Sequence, residues 1–268
     1  MKVFEREEKI FSMEQLETII RDVENCRNDT GGGYMHFYRG QPSNNMLLEP
    51  KICRNFVDAV KIIKNEKIIF EEFTKAVEKK KIIIPDNSFI EKYPEVYNWE
   101  LLFQGQHLRL KTRLLDWTIN WEMALQFALS DDNYLSDDAQ FWIFLCPESH
   151  EINNDRYDLI YSQNPFEIND WYIINPPLFQ DDNNNTTIAS RRIARQHGRF
   201  FIQPTEKIKI PVEEQEDINK YLFKCIIPRE VKGKIKAELD KRIKPLCWAN
   251  YIENKEITQL MCDINNQV

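Results

Sequence analysis

Gln106-His107-Leu108-Arg109-Leu110-Lys111-Thr112-Arg113-Leu114-Leu115-Asp116-Trp117-Thr118 is the stretch on which the fold turns. It sets a histidine, arginines and an aspartate around a turn between two helices. Upstream, Trp99-Glu100-Leu101-Leu102-Phe103 begins the first of these helices. Downstream, a second starts near Thr118 and carries Trp121, Leu125 and Ala128 inward, with Trp117 and Trp121 in the core. Asp116 can cap that helix, as can Thr118. It can equally hold Arg113 or a ligand hydroxyl.

Further out, Phe141 to Leu145 is an apolar run bounded by polar sequence, the pattern of a buried strand. Tyr34 to Tyr38 reads as a short strand behind Gly31-Gly32-Gly33. Before it, Ser12 and Gln15 form a capping-box pattern ahead of Leu16, Ile19, Ile20 and Val23. Phe56, Val60, Ile63, Phe70, Phe73 and Val77 predict one or two helices between Asn55 and about Lys80. Residues 164–185, rich in Pro, Asn and Asp, read as a long loop. Thr187 to Gln196 reads as a helix that Gly198 ends, and Arg199 to Ile202 as a strand. Leu222 to Ile227 is a further strand, and Arg229 to Ile243 an amphipathic helix with Val231, Ile235 and Leu239 on one face. Strands and helices mix without regular alternation, which predicts an α+β domain rather than a doubly wound sheet.

The 268 residues carry 36 Lys+Arg against 43 Asp+Glu, a net charge of −7, so a non-specific coat for nucleic acid is not expected. Seven glycines leave no G-x-x-x-x-G-K-[ST] or G-x-G-x-x-G motif, which argues against P-loop and Rossmann chemistry. H-E-x-x-H, G-x-S-x-G and metal-spaced Cys/His clusters are absent from the sequence, and no metal is expected. The six cysteines are scattered and read as reduced thiols. No apolar window is long enough to cross a membrane, and the expected location is cytoplasmic.

Two more constellations can carry chemistry. In Tyr38-Arg39-Gly40-Gln41, an Arg followed by a Gly that admits close backbone approach suits a phosphate or carboxylate. A structural salt bridge with a turn glycine explains the same residues. Arg191-Arg192-Ile193-Ala194-Arg195-Gln196-His197-Gly198-Arg199 is the most basic island of the chain. Arg192 and Gln196 stand i,i+4 on one helix face. That face is either solvated or lines a site for an anionic, hydroxyl-bearing ligand such as a nucleotide.

Together, Tyr38-Arg39-Gly40, Gln106-His107 through Thr112-Arg113-Leu114-Leu115-Asp116-Trp117-Thr118, Ala124-Leu125-x-Phe127-Ala128 and Arg192 to Phe200 resemble the successive motifs of the FRG domain family. The resemblance runs from about Tyr34 to Pro228. It implies a helical extension over residues 1–30 and an FRG domain over 31–268, C-terminal helices included. Where the family has an aromatic-Gly-x-Pro step, this chain has Leu108-Arg109-Leu110-Lys111. An aromatic-Arg-Gly at the end of an early strand is also similar to the first motif of R-S-E-type ADP-ribosyltransferases, whose Arg holds NAD phosphate and ribose. In that fold a late strand edge carries Glu or, in variants, Gln; the resemblance implies Gln196 as the counterpart, with Asp116 or Glu122 to supply any carboxylate.

The resemblances imply a split sheet with surrounding helices and an NAD-dependent effector. Its activity would be ADP-ribosyl transfer or NAD glycohydrolysis, in a prokaryotic or phage conflict system as a toxin or defence protein. Arg39, Asp116 and Gln196 would then be catalytic: Arg39 on the pyrophosphate, and Gln196 with Asp116 at the ribose. Tyr38, Gly40, Gln41, His107, Arg113, Thr118 and Arg192 would contact ligand. NAD would be the substrate, and an unidentified macromolecule the acceptor or protein partner. The alternative is a non-catalytic module that recognises a nucleotide or a phosphorylated partner through Arg39, Arg113, Arg192 and His107.

Overall fold

The computed structural model describes residues 7–29, 33–54, 58–80, 93, 95–153, 155–176, 194–243 and 255–266. In chain order the elements are β1 (Glu7–Lys9), α1 (Met13–Asp29), β2 (Tyr34–Gln41), α2 (Ala59–Lys80), α3 (Val96–His107), β3 (Leu115–Thr118), α4 (Trp121–Leu129), β4 (Ala139–Pro147) and β5 (Glu151–Ile152). They continue with α5 (Asp158–Tyr161), β6 (Tyr172–Ile174), β7 (Gly198–Ile202), α6 (Glu216–Asn219), β8 (Leu222–Ile227), α7 (Arg229–Leu239) and α8 (Lys255–Asn265). The expected mixture of helices and strands without regular alternation is what forms.

The described residues fall into two units, each drawn from three separated stretches. The first takes residues from 1–47, 117–151 and 213–246, and the second from 48–116, 152–212 and 247–268. β3 and β5 lie where the chain passes from one unit to the other.

In the first unit the strands run in the order β1-β8-β4-β2-β3. β1 is parallel to β8, and the remaining pairs are antiparallel. The β2–β4 ladder is the longest, running from Tyr34 opposite Pro147 to Gln41 opposite Gln140. One sheet face is buried under helices: Tyr38, Phe141, Ile143, Phe223, Cys225 and Ile227 pack with Leu16, Ile19, Ile20 and Val23 of α1, Ala124, Leu125 and Ala128 of α4, and Ile235 and Leu239 of α7. Ser12 caps α1 as its pattern predicts, accepting from Gln15 N (3.2 Å), while Gln15 Oε1 reaches back to accept from Phe11 N (3.0 Å), one residue before the cap. A lysine secures α7. Lys232, only 5 % exposed, donates to the carbonyls of Pro42 (3.1 Å), Tyr134 (2.7 Å) and Asp137 (3.0 Å).

The second unit has its own core around Trp99, Phe103, Phe73, Tyr161 and Phe200. Phe103 and Phe200 stack with ring centroids 5.2 Å apart, and Trp99 Nε1 donates to the carbonyls of Ile160 and Gln163, each at 2.9 Å. β6 and β7 are antiparallel, with Ile173 opposite Phe201. The C-terminal helix α8 contributes Met261 and Ile264 to this core.

Several expectations change. The 106–118 stretch is a helix, a turn and then the strand β3, not a helix-to-helix turn. Residues 59–80 are one helix, and Val60 points out at 72 % exposure while Phe70, Phe73 and Val77 are buried. The expected loop at 164–185 contains β6 in its described part. Residues 187–193 of the expected late helix lie outside the described residues, and Gly198 opens β7 rather than ending a helix.

Among the described residues, no helix is long and apolar enough to cross a membrane. None of their His, Cys, Asp and Glu side chains form a group of three placed to hold a metal. Cys53, Cys146 and Cys225 are buried free thiols and Cys262 an exposed one. Burial pushes the Cys53 thiol up to about 12, which leaves it unreactive as a nucleophile.

Candidate functional site

Strand alternation divides the Tyr38-Arg39-Gly40-Gln41 quartet between two faces of the first unit's sheet. Tyr38 and Gly40 face the helices. Tyr38 is 2 % exposed, its ring lies 5.9 Å from that of Phe141, and its hydroxyl donates to Glu24 of α1 at 3.1 Å. Burial, then Glu24, pushes its phenol well above the usual range. Tyr38, which the sequence offers as a ligand contact, is buried in the core with its polar end tied to α1.

Gly40 also has a different neighbour from the one expected. A Cβ there would fall inside the carbonyl oxygen of Ala124 and lie 2.7 Å from Ala128 N. The close backbone approach that this glycine permits is to α4.

Arg39 and Gln41 occupy the opposite face. Register puts Arg39 level with Trp142, Trp142 level with Lys224, and Lys224 level with Glu7. Because Tyr38 pairs with Thr118 in an antiparallel ladder, Arg39 also stands level with Trp117. The row therefore reads Glu7, Lys224, Trp142, Arg39, Trp117. Lys224 Nζ lies 5.6 Å from the Trp142 ring centroid and 3.4 Å from Glu7 Oε2. The indoles are buried, at 6 % and 2 % exposure, whereas Arg39 and Lys224 are only partly so. Arg39 is partly buried and stands level with both indoles on the same sheet face.

Thr118 is 4 % exposed and its Oγ1 accepts from Asn120 N at 3.0 Å. The cap of α4 is Asn120, whose side chain accepts from Met123 N at 3.0 Å. Neither Asp116 nor Thr118 caps this helix, and Thr118 shapes the turn before it.

In the second unit, Arg113 is part of a buried tie. At 1 % exposure it meets Glu66 of α2 through Nε (2.9 and 3.0 Å) and Nη2 (2.5 Å), and Thr205 Oγ1 through Nη1 (2.8 Å). Its guanidinium carbon lies 5.3 Å from the Phe166 ring centroid. Arg113 is thus paired with Glu66 and not with Asp116.

Asp116 is exposed, and a relay of motif residues orients it. Thr112 Oγ1 accepts from Leu114 N (3.2 Å) and donates to Gln106 Oε1 (2.5 Å). The Gln106 amide is thereby turned so that its Nε2 donates to Asp116 Oδ2 at 2.9 Å. His107 is buried at the end of α3, its ring 5.1 Å from Phe200. Gln196, 9 % exposed, sits in the turn leading into β7, and Arg192 lies outside the described residues.

The Leu108-Arg109-Leu110-Lys111 step closes α3 with a Schellman pattern: Arg109 N donates to Gln106 O (3.1 Å) and Leu110 N to Gly105 O (2.8 Å). Arg109, at φ 73°, occupies the left-handed position where glycine is favoured. Asn265 of α8 clamps this turn, accepting from Lys111 N (2.8 Å) and donating to Arg109 O (2.9 Å). Arg109→Gly should therefore raise stability by up to about 1 kcal/mol. An unchanged or lower melting temperature would show that the clamp has already absorbed the backbone cost.

Three contributors have no role in a sequence-level reading: Glu66, Lys232 and the Gln106–Thr112 relay. Two left a signal. Glu66 interrupts the buried stripe Ile62, Ile69, Phe73 of α2, and Lys232 shares a stripe with Ile235 and Leu239 of α7. A charge on an apolar stripe marks a buried partner.

A family model described as FRG domain matches residues 35–137. The match supports the FRG resemblance over the stretch holding Tyr38-Arg39-Gly40 and Thr112 to Thr118. The third motif, Arg192 to Phe200, lies beyond it. No curated protein and no solved structure matches the chain.

Proposed function

We propose that this chain is a recognition module for a nucleotide-like anion, and that Arg39 is its anion contact. The observation that carries this reading is the row Lys224, Trp142, Arg39, Trp117 on one sheet face, which sets a partly buried arginine and a lysine level with two tryptophans in a protein of net negative charge. Arginine binds phosphate with paired donors in a fixed fork, a geometry an ammonium lacks.

A second, enzymatic reading takes NAD as substrate, for ADP-ribosyl transfer or glycohydrolysis, on an ADP-ribosyltransferase-like split sheet. It is favoured by Asp116, an exposed carboxylate oriented by Gln106 and Thr112. A carboxylate so held suits the oxocarbenium-like state formed as the bond to nicotinamide breaks. A cytoplasmic effector of a prokaryotic or phage conflict system, acting on a macromolecular acceptor, is the setting that accompanies this form.

The test is titration of the full chain with NAD and ADP, with free nicotinamide followed in parallel. Saturable binding supports the module, and nicotinamide release that depends on Asp116 supports the enzyme. Absence of binding by both nucleotides sinks both.

A further inference from the structure

Among the described residues, Trp117 Nε1 and Gln41 Oε1 on the Arg39 face of the first unit are buried without a hydrogen-bond partner. Trp117 Nε1–H is a donor and Gln41 Oε1 an acceptor, and each residue is only 2 % exposed. Gln41 spends its amide nitrogen on Leu47 O at 3.1 Å, and the Trp117 ring leans toward Phe144 with centroids 5.3 Å apart. Trp142 Nε1 donates to Gln140 Oε1 (3.1 Å), and Gln140 Nε2 donates to Ser43 O (2.9 Å) and Met46 O (2.5 Å). Buried donors and acceptors are nearly always paired, so exceptions call for an account.

Both exceptions adjoin Arg39: Trp117 stands level with it across β3, and Gln41 lies two residues along β2. We propose that Trp117 Nε1–H joins Arg39 in holding an oxyanion of a phosphate-bearing ligand, and that Gln41 Oε1 accepts from a hydroxyl of the same ligand. This inference rests on Arg39 being the anion contact. It assigns a binding role to a tryptophan that otherwise reads as core, and it specifies the ligand: phosphate with an adjacent hydroxyl, as in a nucleoside diphosphate. Inorganic pyrophosphate shares the oxyanion but lacks the hydroxyl.

The experiment titrates ADP, inorganic pyrophosphate and adenosine against wild type, Trp117→Phe and Arg39→Lys by calorimetry. Trp117→Phe keeps a ring against Phe144 and removes the N–H. Wild type should bind ADP more tightly than pyrophosphate, and pyrophosphate more tightly than adenosine. Trp117→Phe should weaken ADP and pyrophosphate by about tenfold or more. Should that variant misfold, the wild-type protein still decides. The indole N–H resonance of Trp117, assigned by selective labelling, should shift on ADP addition.

An unmoved resonance at saturating ADP would overturn the inference, as would wild-type affinity in Trp117→Phe. If Arg39→Lys loses binding in that case, the Arg39 reading survives alone. Adenosine binding as tightly as ADP would remove the oxyanion from the account. Absence of binding by all three probes in wild type overturns both readings together.

Discussion

Gly40→Ala should destabilise the first unit by more than about 3 kcal/mol, the upper range for overpacking a core, and is expected to abolish soluble expression. The new methyl would meet main-chain atoms of α4, the Ala124 carbonyl and the Ala128 amide, and not the end of a side chain that could swing away. Relief requires α4 to move off β2, which opens the core made by Ala124, Leu125, Phe141 and Ile143. Gly233→Ala is the control. Nothing lies within 4 Å of a Cβ there, and it sits inside α7, so it should add about 0.5–1 kcal/mol. Equal melting temperatures for Gly40→Ala and wild type would show that this glycine is not a packing residue.

Breaking the Arg113–Glu66 pair is the second large effect. Glu66→Gln leaves a guanidinium at 1 % exposure facing a neutral amide, and should cost about 3–5 kcal/mol. At the scaling of a domain this size that is a fall of roughly 10 °C in melting temperature. The double variant Arg113→Met/Glu66→Leu should recover most of the loss, because apolar residues of similar volume need no solvation. A cost below about 1 kcal/mol for Glu66→Gln is the value of a surface pair, and would contradict the buried tie. The pair matters beyond stability because Arg113 anchors the segment that presents Asp116. Its loss should therefore loosen the Thr112–Gln106–Asp116 relay in the same unit.

Local signals in the sequence were sufficient where the determining contacts are local. Ser12 and Gln15 mark the start of α1, and Leu222 to Ile227 reads as the strand that forms, because a capping box and an apolar run are complete within a few residues. β3 was hidden: Leu115-Asp116-Trp117-Thr118 is too short to show alternation, and its extended form depends on β2, nearly 80 residues away. The site was legible in part. Arg39 stood out, but grouping it with Tyr38 and Gly40 ignored the two-residue period of a strand, which sends neighbours to opposite faces. Arg113 sits in a tie that local sequence does not show. Its partner Glu66 lies 47 residues earlier, and only the oddity of a glutamate on an apolar helix stripe points to it.

Calorimetric titration of ADP and NAD into wild type and Arg39→Lys decides whether Arg39 contacts an anionic ligand. The lysine keeps the charge and most of the stem but loses the paired donors of the guanidinium. Saturable binding by wild type, weakened about tenfold or more in Arg39→Lys at a nearly unchanged melting temperature, is the predicted result. Equal affinity in the two proteins, or no affinity in either, would contradict it.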